Sequence, residues 1–144
     1  MANFELAIDP VLESEGYRQK YGKSGYVKDP DDAGGETIAG ISRKNWGNEA
    51  IWLYVDAAKK RTGFPNSLAA DLNIRSMILD FYRRRFWSPI HGDSIKQQVI
   101  GNLLVDKAVL EGISPAIARA EDIVGLKRTG IVSDELITKL NLLA

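Results

Sequence analysis

Outside one glycine-rich stretch, the apolar residues of this chain recur at helical spacing almost from end to end. Phe4, Ile8, Val11 and Leu12 make an amphipathic helix over residues 3–15, and Gly16 ends it. Ile51, Trp52, Val55 and Ala58 form a second stripe, finished before Gly63. Leu72, Ile74, Met77, Ile78, Phe81 and Tyr82 predict a longer helix running to Trp87, stopped by Pro89. Residues 95–110 repeat the pattern up to Gly112, Ser114-Pro115 signals a further helix start, and Ser133-Asp134-Glu135 signals the last. The exception is the segment 17–41. With Gly16 just before it, it holds six glycines (Gly16, Gly22, Gly25, Gly34, Gly35 and Gly40) and the turn-forming run Asp29-Pro30-Asp31-Asp32. Short strands at 25–28 and 37–41 are the most regular structure it predicts. The expected class is therefore mainly α, a helical domain with a short irregular or β-hairpin segment after the first helix.

The 144 residues suit one domain with one core, without repeats or a linker that would separate two. No cysteine is present, so no disulfide framework or thiolate metal site is expected, and a single histidine, His91, argues against a histidine-built zinc site. Nineteen acids balance nineteen bases, which speaks against a nucleic-acid partner. No apolar run is long enough to span a bilayer, so no membrane insertion is expected. The N-terminus lacks a basic region followed by an apolar stretch, so no signal peptide is read there.

The charge is unevenly placed. Residues 1–40 hold eight acids, among them Glu13, Glu15, Asp29, Asp31, Asp32 and Glu36, against four bases. That net −4 leaves +4 for the remainder of a neutral chain. A solvated acidic face explains such a cluster, and so does a carboxylate-rich site. Projection of the first helix at about 100° per residue puts Glu15 in the middle of the apolar stripe, with Glu13 on the wet face. A carboxyl on the core side, at a helix C-terminus and near other acids, has three reasons to hold its proton, as a general acid must. The competing reading is an ion pair from Glu15 to Arg18, Lys20 or a later arginine.

The run from Asp29 to Thr37 reads as a surface turn, or as a loop that holds a water opposite Glu15. A calcium loop of the EF-hand type fails, because Ala33 and Gly40 stand where ligands are needed. An acid facing a water-holding carboxylate is the arrangement that glycoside hydrolysis requires. Tyr26, Tyr82 and Trp87 are candidate rings for a sugar face, core packing being the alternative for the aromatics near 81–87.

The ordered set Leu12-Glu13-Ser14-Glu15-Gly16, Tyr26-Val27-Lys28-Asp29-Pro30-Asp31-Asp32-Ala33-Gly34-Gly35-Glu36-Thr37 and Gly40-Ile41-Ser42 resembles the signature of glycoside hydrolase family 108. Phe81 to Trp87 and Asp106-Lys107-Ala108-Val109 extend the similarity, and Gly130 to Asn141 is similar to a small peptidoglycan-binding module. The stretch Glu15 to Tyr21 also resembles the hairpin after the catalytic glutamate of T4-type phage lysozymes. Against the family pattern the chain carries about eight extra residues between Gly16 and Tyr26, and Lys28 and Leu110 replace asparagines. The binding module's Leu-Gln pair would fall on Ala120-Glu121.

The resemblance implies a lysozyme-like N-acetylmuramidase, a phage or prophage endolysin cutting the β-1,4 bond between N-acetylmuramic acid and N-acetylglucosamine in peptidoglycan. Its catalytic glutamate falls on Glu15, and Asp29, Asp32 and Thr37 match its loop positions. It also implies one muramidase domain over 1–144, with 1–92 catalytic and 93–144 a helical part similar to the binding module. The expected enzyme is a monomer without cofactor or metal. It accumulates in the host bacterial cytoplasm and reaches the wall after release. The alternatives are a lytic transglycosylase, or a non-catalytic wall-binding or virion-structural protein.

Overall fold

The computed structural model describes residues 1–31 and 35–143. Its elements are α1 (Phe4–Ser14), β1 (Tyr17–Arg18), β2 (Lys23–Ser24), β3 (Tyr26–Lys28), β4 (Glu36–Ile38), β5 (Ile41–Ser42), α2 (Arg43–Trp46), α3 (Ile51–Lys59), α4 (Leu72–Tyr82), α5 (Gln98–Glu111), α6 (Ile113–Ile123) and α7 (Asp134–Asn141). Over the described residues the protein is mainly α with two small antiparallel sheets, β1–β2 and β3–β4–β5. Two compact units are distinguished, Leu12–Asp80 and Met1–Val11 with Phe81–Ala144. No helix among the described residues is long and apolar enough to cross a membrane.

In the unit Leu12–Asp80, local chemistry accounts for the sharp corners. Ile38 and Ile41 pair across a two-residue turn, Ala39-Gly40, in which both residues have positive φ, +48° and +82°. That is the tight hairpin whose twist suits neighbouring strands. The expected single strand over 37–41 is therefore two strands. Ser42 caps α2 by accepting the Asn45 N–H at 3.4 Å, and Asp71 caps α4 by accepting the Asn73 and Ile74 N–H groups. A second hairpin, absent from the strand expectation, pairs Tyr17 with Ser24 and Arg18 with Lys23.

In the other unit, Asn3 caps α1 through its Oδ1, which accepts the Leu6 N–H at 3.0 Å. The helix after 72 is regular only to Tyr82 and continues as a π-helical turn over Arg83–Trp87. This wider turn carries the Trp87 indole into the interior, where it is wholly buried. Helix α6 starts at Ile113 behind Gly112, whose φ of +99° breaks the chain direction, so Ser114-Pro115 lie inside the first turn rather than starting it. Ser133 does cap α7, accepting the Leu136 N–H at 3.1 Å. Glu121 is buried yet satisfied: it accepts the Thr129 and Gly130 N–H groups and the Thr129 hydroxyl, each at 2.8 Å. These bonds, the Thr129 N–H foremost, hold its pKa below the ordinary value against the cost of burial. At the position of the binding module's glutamine, this side chain folds the 124–131 loop. An apolar groove of about 510 Å³ in this unit is lined by Leu103, Leu104, Ala120, Ile123 and Leu140. Of the expected catalytic residues, the described ones, Glu15, Asp29 and Thr37, do not line it.

Candidate active site

Glu15 stands one residue beyond the end of α1, in a turn closed by its own N–H to Leu12 O at 3.1 Å. The helix face predicted to be apolar is so, with Phe4, Ile8, Val11 and Leu12 all buried, and Glu13 is exposed. Glu15 is half-buried. Gly16 follows at φ +82°, a conformation that costs glycine nothing. A Cβ there would come within 3.6 Å of the Gly25 backbone. Gly25, at φ +68°, is in turn hemmed in by the Ala39 and Tyr17 backbone nitrogens, each 3.1 Å from where its Cβ would be, and its carbonyl accepts the Ala39 N–H. Gly16 and Tyr17 just past α1, Gly25 just before β3 and the β4–β5 turn thus meet backbone to backbone. That packing fixes the chain immediately after Glu15.

The expected ion pair goes elsewhere. Arg18 binds Glu13, and its guanidinium lies over the Tyr21 ring. Among the described residues the Glu15 carboxylate has no hydrogen-bond or ion-pair partner.

The three-stranded sheet sorts the loop residues by face. Tyr26 pairs with Ile38, Lys28 with Glu36, and Val27 with Thr37, which also faces Ser42. Side chains alternate, so Val27, Thr37 and Ser42 share one face, and Tyr26, Glu36 and Ile38 share the other. The Asp29 N–H donates to Gly35 O at 2.9 Å and extends the ladder by one rung. Alternation then puts Asp29 on the Thr37 face, exposed, with its Oδ1 accepting the Asp31 N–H at 2.9 Å. Asp32 lies outside the described residues.

On the opposite face is a cluster that the sequence reading missed. Glu36, 9% exposed, accepts the Tyr26 hydroxyl at 2.7 Å, Arg43 Nη1 at 3.0 Å and the Lys59 ammonium. Arg43 forks onto Asp56 at 2.8 and 2.7 Å, and Lys59 is also close to Asp56. Burial pushes the Glu36 pKa up, but the hydrogen bonds from Lys59 and Tyr26 and the two positive charges outweigh it and lower it. The Tyr26 phenol is pushed well up, first by burial and then by its bond to the Glu36 carboxylate. Its hydroxyl is committed, and its ring meets Phe64 edge-on at 4.8 Å between centroids. Only the half-exposed ring of Tyr26 is left for a sugar. Asp56 and Lys59, three apart on α3, were the visible hint of this cluster. That Glu36 and Arg43 would join them depends on the hairpin.

Two expected sugar contacts are corrected. Tyr82 is 2% and Trp87 0% exposed. Tyr82 packs edge-on against Phe81 at 5.2 Å and beside Phe86 at 5.7 Å. Trp87 packs on Phe4 at 5.7 Å and donates its indole N–H to Asp93 at 2.8 Å. A ring with no exposed face cannot stack on a sugar, so both are core residues.

The sequence model of the family Glycosyl hydrolase 108 matches residues 8–112. The chain belongs to the glycosyl hydrolase 108 family. It is accordingly a glycoside hydrolase, of a family that acts on peptidoglycan. The match includes Glu15, Asp29 and Thr37 and runs through both compact units. The structure of Brucella abortus SagA is similar, with a TM-score of 0.58 and 22% identity over 98% of this chain and 70% of that one. At that identity the likeness speaks for the fold, which is lysozyme-like. No curated protein sequence matches the chain.

The charge cluster makes a pH prediction for this family member. Hydrogen bonds from Arg43 bring the Asp56 pKa down to about 2 from an ordinary 3.8. A depressed acid contributes stability that is present above its unfolded pKa and lost as pH falls through the folded value. Melting temperature should therefore fall from about pH 4 toward pH 2, and Asp56→Asn should flatten that slope. The Asp56 side chain is 42% exposed, so screening keeps the effect modest. Melts at pH 5, 4, 3 and 2 that fall in parallel for wild type and variant would contradict the assignment.

Proposed function

We propose that this glycoside hydrolase is an N-acetylmuramidase that hydrolyses the β-1,4 bond between N-acetylmuramic acid and N-acetylglucosamine. Glu15 protonates the leaving oxygen. Asp29 or Asp32, with Thr37, holds the attacking water or stabilises the developing positive charge. The observation that carries this reading is the half-buried Glu15 carboxylate, which has no partner among the described residues while Arg18 turns to Glu13. Its position inside the family match supports the same role. Asp29 and Thr37 support it further by sharing one face of the β3–β4 ladder.

In this reading residues 1–144 work as one monomeric muramidase domain, a phage or prophage endolysin made in the bacterial cytoplasm. It acts on the wall once a separate membrane-permeabilising protein has opened the way. Digestion of purified peptidoglycan, followed by mass spectrometry of the fragments, tests the chemistry. The expected products end in reducing N-acetylmuramic acid and carry one added water. An anhydro end would make the enzyme a lytic transglycosylase, and a reducing N-acetylglucosamine end would move the cut to the other bond. Turbidity loss in chloroform-treated Gram-negative cells tests the lytic role.

A further inference from the structure

Beyond the residues that would meet the substrate, we infer that Glu36 is a positioning residue: its clamp on one face of β4 sets the place of Thr37 on the other. The inference rests on the assignment of Thr37 to the hydrolytic step. Strand β4 is only three residues long, paired to β3 on one edge and β5 on the other and anchored at one end by the buried Ile38. At the other end of the strand the Glu36 carboxylate gathers Tyr26 from β3, Arg43 from α2 and Lys59 from α3. Arg43 and Lys59 are themselves held by Asp56. Four segments are therefore tied at one carboxylate, with two acids and two bases in balance. Thr37 is the next residue along the chain, and its neighbours across the ladder, Val27 and Ser42, offer no charge to hold it. A shift of β4 that breaks the clamp moves the Thr37 hydroxyl with it. Misplacement by about 1 Å is enough to cost on the order of a hundredfold in rate.

The test is a double-mutant cycle on the full chain, with reducing-end release from purified peptidoglycan and a thermal melt for each variant. Glu36→Gln keeps the shape and the Tyr26 contact but removes the charge that Arg43 and Lys59 grip. Its kcat should fall about ten- to a hundredfold, with KM within about twofold, because the group acts through the reacting geometry rather than binding. Thr37→Ala should lower kcat as well. Combined, the two should cost little more than the larger single loss, because one effect runs through the other. Additive losses, or a Glu36→Gln loss that appears in KM alone, overturn the positioning role while leaving Thr37 in place. Full activity in Thr37→Ala overturns both assignments. Glu36→Asp, which keeps the charge but shortens the reach, serves if Glu36→Gln does not fold. It too should lose kcat in the wild-type background and little in Thr37→Ala.

Discussion

Glu15→Gln should lower kcat for peptidoglycan cleavage by about 10²–10⁴-fold, the usual contribution of a positioned general acid, while melting as wild type does. The reasoning separates chemistry from stability. Glutamine has nearly the same shape and fills the same half-buried place, but it has no proton of the right acidity to give. In many proteins such a change would also break an ion pair and soften the fold. Here the pair that might have been lost belongs to Glu13 and Arg18, not to Glu15. The glutamine is neutral at a place just past the end of α1 where the helix dipole disfavours negative charge, so the substitution brings no electrostatic penalty there. The control is Glu13→Gln. It breaks an exposed pair, worth at most about 1 kcal/mol, and should leave turnover intact. Wild-type turnover in Glu15→Gln, or a matching loss in Glu13→Gln, would remove Glu15 from the chemistry.

The same residue shows how far the sequence could be read. A 3.6-residue period places Phe4, Ile8, Val11 and Leu12 on one side, and that side is buried. Glu15 could be singled out because it broke a pattern that is local in sequence. Thr37 and Asp29 could be named as loop residues, and the family resemblance supplied the rest. The Glu36 cluster could not be seen, because its members come from β3, β4, α2 and α3 and meet only after the hairpin closes. Nor could the pair of strands around Ala39-Gly40. A buried alanine at φ +48° is disfavoured locally and is held there by packing against Gly25. Tyr82 and Trp87 failed for a related reason. A helical stripe with aromatics at its end looks the same whether the last turn is α or π, and the π turn decides where the indole goes.

Trp87 carries the largest expected loss of stability. Trp87→Ala should cost about 3–5 kcal/mol, a large share of the 5–15 kcal/mol that holds a typical domain folded. At about 2–4 °C per kcal/mol for a chain near this size, the melting temperature should drop by roughly 10 °C. The surroundings of the ring explain the size of the effect. Phe4 packs on one side of it, and Gly92 lies so near that a Cβ there would stand 2.2 Å from two indole carbons. A Cβ on Gly101 would meet the far edge of the ring at 3.1 Å. These two glycines are small because the tryptophan is large, and nothing nearby can grow into the hole it would leave. Gly92→Ala should therefore destabilise severely as well, by overpacking the same place from the other side. Trp87→Phe should fall between, restoring most of the ring but leaving the Asp93 oxygen without its indole donor, though still beside Arg83. A sugar-stacking tryptophan would behave in the opposite way, with an alanine variant that melts normally but binds glycan strands poorly. Thermal melts and KM measured side by side on Trp87→Ala decide between the two. An unchanged melt with a raised KM would return the indole to the glycan, and a low melt with unchanged KM below the transition confirms it as core.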